Sequence, residues 1–410
     1  MCHGFAEGGV AERARARQHA YMGEGSVFGA LDSLSTIYLD NNATARALPA
    51  VIEAVVRVLG ENFANPSSPH GRGTHGKRLL SIAREQVATL LGCVSDAVTF
   101  TSGATESNNA VIAMARRAGL RVVCSAGDHA SILETALHSA PDDRATSVIG
   151  LDRRGLVDLA ELEAVLACKP QSLVALHWVN SETGVIQPVA RIVEIARRHA
   201  AVILIDAAQA VGRLPIDAAA LDVDYLTLSG HKLHAPQGTG ALFTKPGATP
   251  PILLYGGGQE RGYRAGTENL PGIVGLGVAC EARRQHLAGD IAQMAALRDR
   301  FETAVLTRCD DVVVNGSVAR VPNTSNLRFS GVDGQALVAQ LDRKGIACSQ
   351  ASACSSHRPE PSAVLRAMRL SEEEAFQSVR FSFSILNTED EVDQAIEIVQ
   401  SVVQHLRLVG

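Results

Sequence analysis

The sequence predicts an α/β protein with a mainly parallel sheet covered by helices on both faces, followed by a smaller α+β domain. Between residues 97 and 286, short apolar runs alternate with segments of helical periodicity, which is typical of parallel strands joined by helices. The predicted strands are Val98–Thr101, Arg121–Cys124, Ser147–Leu151, Ser172–Val179, Val202–Ile205, Tyr225–Leu228 and Ala241–Thr244. The intervening helices include Ser107–Arg117, His129–His138, Leu159–Ala167 and Val189–Ala200.

The remaining segments suggest the domain limits. Ordered structure is expected from Ile37, and a long helix over 273–305 is expected to lead from a large domain (50–285) into a smaller one (36–49 with 286–410). Helices are also predicted at Pro49–Leu59, Lys77–Leu91, Gln335–Lys344, Ser362–Met368 and Glu389–Arg407, and strands at Ser325–Phe329 and Val379–Ser384. Residues 1–35 lack the apolar core of a signal peptide and are expected to form a disordered extension.

Composition limits the possible partners and the compartment. The net charge of -5 gives no basic footprint for nucleic acid, and no apolar run reaches the length of a membrane helix. The eight cysteines include no C-x-x-C pair, so we expect reduced thiols and a cytoplasmic protein.

Lys232 is the first candidate for a catalytic residue. It follows the predicted buried strand Tyr225–Leu228, and burial disfavours the charged form of a lysine. A desolvated amine is a nucleophile, and carbonyl cofactors such as pyridoxal phosphate bind it as a Schiff base. Taken alone, a solvent-exposed lysine would be the more common interpretation.

Three further strand ends carry residues that suit the same cofactor, because ligands of open α/β sheets bind beyond the carboxyl ends of the strands. The turn with Gly103, Ala104 and Thr105 opens a helix and predicts a phosphate site. Asp206 closes an apolar strand and would pair with a protonated pyridine nitrogen, with Gln209 near the ring hydroxyl. Simple helix capping is the alternative for both segments.

The last group completes the pattern. His129 follows a strand and could lie over the ring and transfer protons near neutral pH. Ser229 and His231 precede Lys232 and could donate to the phosphate. An aspartate, a helix-length gap and Ser-x-His-Lys, all at strand ends, together predict a pyridoxal phosphate site.

Eight sequence motifs indicate a protein family that uses this cofactor. They are Y-L-D-N-N-A-T, N-P-S-S-x-H, F-T-S-G-A-T-E-S-N-N, E-T-G, D-A-A-Q, S-G-H-K, G-G-G-Q-E-R-G-x-R-x-G-T and S-A-C-S-S. Between about residues 37 and 406 the chain resembles the cysteine desulfurases of the nitrogen-fixation and iron–sulfur-cluster type, which are fold-type I, class V aminotransferase-like enzymes. The resemblance implies a pyridoxal-phosphate homodimer that takes sulfur from L-cysteine, leaving L-alanine and an enzyme persulfide.

The resemblance also implies roles for individual residues. Lys232 matches the Schiff-base lysine, Asp206 the pyridine partner, Gln209 the ring-hydroxyl contact and His129 the stacking acid–base. The phosphate ligands match Ala104, Thr105, Ser229 and His231, with Thr267 reaching the neighbouring subunit's phosphate. Arg380 matches the clamp of the substrate carboxylate, to which a bidentate guanidinium is well suited.

Cys354 matches the sulfur acceptor and lies in a segment of small and polar residues near His357 and Arg358, which could favour its thiolate. This segment is similar to the family's first group, and Cys354 is also a candidate transient ligand of an iron–sulfur cluster. Two departures from the family pattern stand out. Ser181 replaces an asparagine that contacts the cofactor, beside Asn180 as a substrate contact, and Arg369 replaces a glycine.

Alternative functions remain open at this point. A selenocysteine lyase or a small-amino-acid aminotransferase would use the same fold and cofactor. A non-catalytic scaffold would not need a buried lysine. The sulfur acceptor, whether an iron–sulfur scaffold or another protein, is not encoded in any motif, so nitrogenase maturation, general cluster assembly and tRNA thiolation all remain possible.

Overall fold

The computed structural model describes residues 36–142, 145–168, 171–252, 254–350 and 360–409. The predicted N-terminal extension and the segment with Cys354, His357 and Arg358 lie outside the described residues. From Ile37 onward the chain forms one compact unit. No helix in these ranges is both long and apolar enough to cross a membrane.

Helices and strands alternate along most of the described chain. The strands are β1 (Ile37–Tyr38), β2 (Val98–Thr101), β3 (Arg121–Ser125), β4 (Thr146–Ile149), β5 (Ser172–His177), β6 (Val202–Asp206), β7 (Tyr225–Ser229), β8 (Gly240–Thr244), β9 (Val312–Val314), β10 (Thr324–Phe329), β11 (Ile346–Ala347) and β12 (Ser378–Ser382). The helices are α1 (Pro49–Glu61), α2 (Gly71–Leu91), α3 (Ala104–Arg117), α4 (Ala130–His138), α5 (Leu159–Cys168), α6 (Val189–Arg198), α7 (Leu270–Arg308), α8 (Gly334–Arg343), α9 (Ala363–Ala367), α10 (Glu372–Phe376) and α11 (Glu389–Val409).

The main sheet has seven strands in the order β2-β8-β7-β6-β5-β3-β4. Strand β8 runs antiparallel to both of its neighbours, and the pairs from β7 to β4 are parallel. The predicted mainly parallel sheet is therefore confirmed. Each predicted strand of this sheet is present, with ends shifted by at most two residues.

The central strands are apolar throughout because both faces of the sheet are covered. In β6, Ile203 and Ile205 join one hydrophobic cluster, which includes residues of α2, α6 and α7. Leu204, which points to the opposite face, joins a second cluster with residues of α3 and α4. This alternation is the period of two that a strand imposes on its side chains.

A separate cluster lies around the antiparallel sheet β12-β10-β9. Phe301 from α7 packs against Phe381 and Phe383, with ring centroids 4.8 Å and 5.5 Å apart. Strands β1 and β11 pair in parallel beside it, which joins residues near position 37 to the C-terminal part of the chain. The cluster is consistent with the smaller α+β domain, whose limits stay a prediction.

Helix α2 begins at Gly71, six residues before the predicted start at Lys77. His70 caps it by accepting a hydrogen bond from the Gly73 amide (3.2 Å). A Cβ atom at Gly73 would lie 2.3 Å from the Ser68 carbonyl oxygen, so only glycine permits this approach. Gly73 therefore allows the start of this helix to pack closely against the preceding loop.

Candidate active site

The amine of Lys232 lies at the carboxyl end of β7, in the short 3-10 turn Gly230–Leu233. Its Nζ donates to the Ala43 carbonyl oxygen (2.9 Å) and to that of Asn42. Burial, reinforced by the charge of Arg213, lowers the pKa of Lys232 to about 8. The lysine thus has the desolvated, readily deprotonated amine that covalent catalysis on a carbonyl group requires.

Asp206 ends β6 and is 6% exposed. Its Oδ1 accepts from the Ala208 amide (2.9 Å), and its Oδ2 accepts from Asn108 Nδ2 (2.8 Å). These donors are neutral, whereas a buried carboxylate is best compensated by a cation. A protonated pyridine nitrogen would supply that cation, so the site fits the predicted cofactor.

Asn108 is a site residue that sequence reasoning missed. It is fully buried on α3, and its Nδ2 donates both to Asp206 and to Ser131 Oγ (2.9 Å). Its Oδ1 accepts from Thr227 Oγ1 (3.1 Å). One amide thereby connects the end of strand β6 and the middle of strand β7 with the start of helix α4.

His129 stands at the other end of this connection, as the N-cap of α4. Its Nδ1 accepts from the Ser131 amide (3.1 Å) and lies 2.9 Å from Ser131 Oγ. Because Nδ1 is an acceptor, the neutral imidazole carries its proton on Nε2. The ring is exposed, which leaves that N–H free to meet a ligand.

We expect Asn108→Asp to disturb this network strongly, because it would place a second carboxylate against Asp206. The lost donor and the like charge should reduce the free energy of unfolding by about 1–3 kcal/mol and weaken binding of pyridoxal phosphate. Urea unfolding and titration of the apo protein with the cofactor measure both effects. The control is Asn109→Asp, whose amide bonds only the Thr105 carbonyl among the described contacts (2.9 Å); equal behaviour of the two variants would contradict the assigned contact.

The predicted phosphate residues meet where α3 begins. Gly103 has φ +153, and a Cβ atom there would lie 3.3 Å from Ser229 Oγ. Ser229 therefore borders the free amide groups at the start of α3, where Ala104 and Thr105 lie. Such a helix start with a hydroxyl beside it can bind a phosphate group.

His231 lies two residues after Ser229, in the 3-10 turn that contains Lys232, and its Nδ1 is 3.2 Å from Thr44 Oγ1. Burial, with the neighbouring charge of Lys232, lowers the pKa of His231 to about 4. The imidazole is neutral at physiological pH in this state, so it can contribute a hydrogen bond rather than a charge. Its predicted phosphate contact stays a prediction.

Arg380, the predicted carboxylate clamp, is buried on β12. One terminal nitrogen donates to Asp40 Oδ1 (2.6 Å), the other donates to the Ser181 carbonyl oxygen (3.0 Å), and Nε has no hydrogen-bond partner among the described residues. The pairing with Asp40 was not predicted from the sequence. Its charge lowers the pKa of Lys232, so the guanidinium acts on the same site.

Ser181, the first departure from the family pattern, lies in a turn that the Asn180 side chain stabilises. Asn180 uses its Oδ1 to accept from the amides of Glu182 (2.9 Å) and Thr183 (3.0 Å), and its Nδ2 donates to the Gly127 carbonyl (3.2 Å). The Asn180 amide thus stabilises its own turn and the loop before His129. Ser181 contributes its carbonyl group to Arg380; substrate or cofactor contacts of these two side chains stay predictions.

Thr267 is exposed in the segment before α7, which is fixed to the edge of the sheet. There Glu260 accepts from the Phe100 amide (2.9 Å) and pairs with Arg84 (2.6 Å). The predicted contact of Thr267 with the phosphate of a neighbouring subunit stays a prediction. The other departure, Arg369, has φ +65 just after α9, a left-handed conformation that explains why glycine is favoured there.

The described residues next to the Cys354 segment lie close to Arg380. On one side Ser349 pairs with Arg380 through backbone hydrogen bonds of 2.8 Å and 3.2 Å. On the other side Ser362 donates to Glu182, whose carboxyl pKa is raised by burial to about 7. Within the described ranges no group of His, Cys, Asp and Glu side chains could hold a metal ion. The predicted role of Cys354 as a ligand of an iron–sulfur cluster concerns a residue outside these ranges.

Comparison with known proteins identifies the family. The model of the class-V aminotransferase family matches residues 37–395. A cysteine desulfurase of Trichormus azollae is 40% identical over 378 residues, covering 91% of this chain and 94% of the relative. One of Sinorhizobium fredii is 42% identical over 380 residues, covering 90% and 97%.

Solved structures agree in fold and in family. A NifS-like protein from Rickettsia africae superposes with a TM-score of 0.82 at 34% identity, covering 90% of this chain and 99% of the other. The protein SspA, solved in complex with cysteine, gives a TM-score of 0.74 at 30% identity, covering 86% and 99%. The chain therefore belongs to the class-V aminotransferase family, among the cysteine desulfurases, as its motifs predicted.

Proposed function

We propose that this protein is a pyridoxal-phosphate-dependent cysteine desulfurase that converts L-cysteine to L-alanine and transfers the sulfur to Cys354. The observation that carries the proposal is the buried amine of Lys232, of lowered pKa, within electrostatic reach of Asp206, whose hydrogen-bond donors among the described residues are neutral. A deprotonated amine can react with the aldehyde of pyridoxal phosphate, and a carboxylate can pair with the protonated nitrogen of its ring.

The remaining residues would hold the other parts of the cofactor. The start of α3 with Ala104 and Thr105 binds the phosphate together with Ser229 and His231, and Thr267 serves the partner subunit's phosphate. Gln209 bonds the ring hydroxyl, and the Ser181 hydroxyl is a shorter donor than the family's asparagine. When bound, the cofactor acts as an electron sink that weakens the bond between Cβ and sulfur of the substrate.

Three side chains of this chain handle the substrate. Arg380 binds its carboxylate, and its Nε–H, which has no hydrogen-bond partner in the part of the chain that the structure describes, is a donor for it. Lys232 would exchange a proton with the substrate, and a pKa of about 8 suits its amine to that role near neutral pH. His129 presents its Nε2–H to the same space. Asn180 supports the turn that presents Ser181 to Arg380.

Sulfur transfer then depends on Cys354. Its thiolate attacks the substrate sulfur, an S–S bond forms, and the bond between Cβ and sulfur breaks. The electron pair of the broken bond takes up a proton at Cβ, which gives L-alanine and leaves a persulfide on the enzyme. Ser349 and Ser362, on either side of the segment with Cys354, are tied to Arg380 and Glu182, which favours delivery of the thiol to the substrate.

A homodimer is part of the proposal. Ile52, Val56 and Leu59 recur on one face of α1, and with Phe63 they form an apolar stripe that is 49–66% exposed. An exposed stripe of this kind favours a protein partner, and an exposed Thr267 suits a contact across subunits. Val56→Asp should therefore yield monomers in sedimentation experiments, whereas Val94→Asp, at an exposed valine outside the stripe, should not; a dimeric Val56→Asp would contradict this interface.

The product sulfur needs a protein acceptor, since a persulfide is a carrier of sulfur rather than an end product. We propose a cytoplasmic enzyme that supplies iron–sulfur cluster assembly, with a scaffold protein as acceptor and a transient cluster contact at Cys354. Pull-down experiments with the wild-type protein and with Cys354→Ala test whether binding of the acceptor protein depends on the persulfide.

Activity assays distinguish this function from its neighbours. Purified protein with pyridoxal phosphate, L-cysteine and a thiol reductant should release alanine and sulfide in equal amounts. A selenocysteine lyase would turn over L-selenocysteine and leave L-cysteine nearly untouched, and an aminotransferase would require a keto acid. A wild-type protein that binds the cofactor but forms no alanine from L-cysteine would overturn the proposal.

A further inference from the structure

Arg213 is a buried cation that the reaction described above does not use. It lies just after the loop that follows β6 and is 4% exposed. Its guanidinium donates to Gln209 Oε1, to the Gln209 carbonyl oxygen (3.3 Å) and to the Asn41 carbonyl oxygen (3.3 Å). These acceptors are neutral, so the charge is retained inside the protein for a reason other than an ion pair.

The contact with Arg213 fixes the orientation of the Gln209 amide. A guanidinium has donors only, so the carbonyl oxygen Oε1 must face it and the nitrogen Nε2 must face away. Accordingly, Nε2 donates to the Asn42 carbonyl oxygen (3.0 Å). Without Arg213 the amide could turn over and present its oxygen instead.

The Asn42 carbonyl also accepts a hydrogen bond from Lys232 Nζ. One oxygen atom therefore brings the Gln209 amide nitrogen beside the reactive amine. In pyridoxal phosphate the ring hydroxyl is attached next to the aldehyde that an amine attacks. An N–H group beside Lys232 is thus placed to donate to that hydroxyl oxygen and to favour its anionic form.

Electrostatics provides a second link between Arg213 and Lys232. Among the described residues, the charged groups that act on the Lys232 amine are two cations and two carboxylates: Arg213, Arg380, Asp40 and Asp206. His231 and His234 are neutral near pH 7, because burial lowers the pKa of each to about 4. Arg213 is the largest of the charge effects that lower the pKa of Lys232, second only to burial.

We propose that Arg213 is a positioning residue that acts through Gln209 and Lys232. Its guanidinium holds the Gln209 amide with the N–H groups toward the cofactor ring, and through the Asn41 carbonyl group it anchors the turn whose next two carbonyl groups bind the Lys232 amine. The inference rests on the proposed function, because it concerns the same cofactor.

Binding of pyridoxal phosphate to apo protein tests the inference without relying on turnover. Two quantities are measured: the dissociation constant, and the pH at which covalent attachment reaches half its maximal rate. Arg213→Met should weaken binding about tenfold, the effect of one lost hydrogen bond of about 1.4 kcal/mol. It should also raise the pH midpoint, because removal of a nearby cation favours the protonated amine.

Gln209→Met separates the two effects. It should weaken binding similarly but leave the pH midpoint near that of wild type, since the cation remains. In the double variant the loss of affinity should be smaller than the product of the two single losses, because both changes remove the same contact. Arg197→Met is the matched control, since Arg197 is a half-buried arginine paired with Asp224 (2.9 Å); both quantities should stay at the wild-type values.

Two results would overturn the inference. One is an Arg213→Met protein with wild-type affinity and pH midpoint; the other is independent, multiplicative losses in the double variant. If Arg213→Met does not fold, Arg213→Lys takes its place, with weakened binding and an unchanged pH midpoint expected, and wild-type affinity would count against the inference. A wild-type protein that fails to bind pyridoxal phosphate would instead refute the proposed function.

Discussion

Cys354→Ala should bind pyridoxal phosphate and L-cysteine normally and form almost no alanine. Removal of a catalytic nucleophile typically costs several orders of magnitude in rate, and three buried or half-buried cysteines cannot replace it easily. Burial raises the pKa of the Cys348 thiol, and it raises the pKa of Cys93 to about 11 and of Cys124 to about 12. Each of these thiols would be protonated near neutral pH and therefore a poor attacking group.

The matched control is Cys348→Ala, which removes the cysteine closest in sequence to Cys354 among the described residues. It should retain wild-type release of alanine in a single turnover. If Cys354→Ala released alanine at the wild-type rate and Cys348→Ala did not, the acceptor would be Cys348. That result would leave the family assignment intact and make the site assignment wrong.

Lys232→Ala should lose covalent attachment of the cofactor and with it the absorbance band of the attached form. Desulfuration should fall by about 10²–10⁴-fold or more, because the lysine both binds the cofactor and exchanges protons with the substrate. Absorbance spectra, and mass spectra after borohydride reduction, report the attachment directly. Lys245→Ala is the control, since Lys245 is a half-buried lysine paired with Asp222, and its attachment and activity should match wild type.

A pH series sharpens the Lys232 prediction. The neutral amine is the nucleophile, so attachment to the apo protein should rise with pH and reach half its maximum near the lowered pKa of about 8. An unperturbed lysine would give a midpoint near its ordinary pKa of 10.5. Attachment of the cofactor at a residue other than Lys232 would contradict the assignment of this lysine, and a midpoint near 10.5 would contradict the lowered pKa of its amine.

The strand ends were predictable from the sequence because their signals are local. The run Val202–Ile205 followed by Asp206, and the run Tyr225–Leu228 followed by Ser229, show a buried strand and the polar residue that ends it. A parallel sheet places such ends on one edge. Local pattern together with one topological rule was therefore enough to bring Asp206 and Lys232 to the same site.

The supporting contacts were not predictable, because they join residues that are far apart in the chain. Asn108 lies 98 residues from Asp206, and Asp40 lies 340 residues from Arg380. No period or spacing marks such a pair before the fold is known. Arg213 was missed for a related reason: an arginine is usually exposed, and only the folded chain shows it buried against Gln209.

The most direct test of the account is a single turnover with L-cysteine, followed by mass spectrometry of the peptide that contains Cys354. We expect one alanine per subunit and the mass of one additional sulfur atom on Cys354, removable by a thiol reductant, with no such addition in Lys232→Ala. Alanine formed without sulfur on that peptide, or sulfur found on Cys348 instead, would contradict the transfer of sulfur to Cys354.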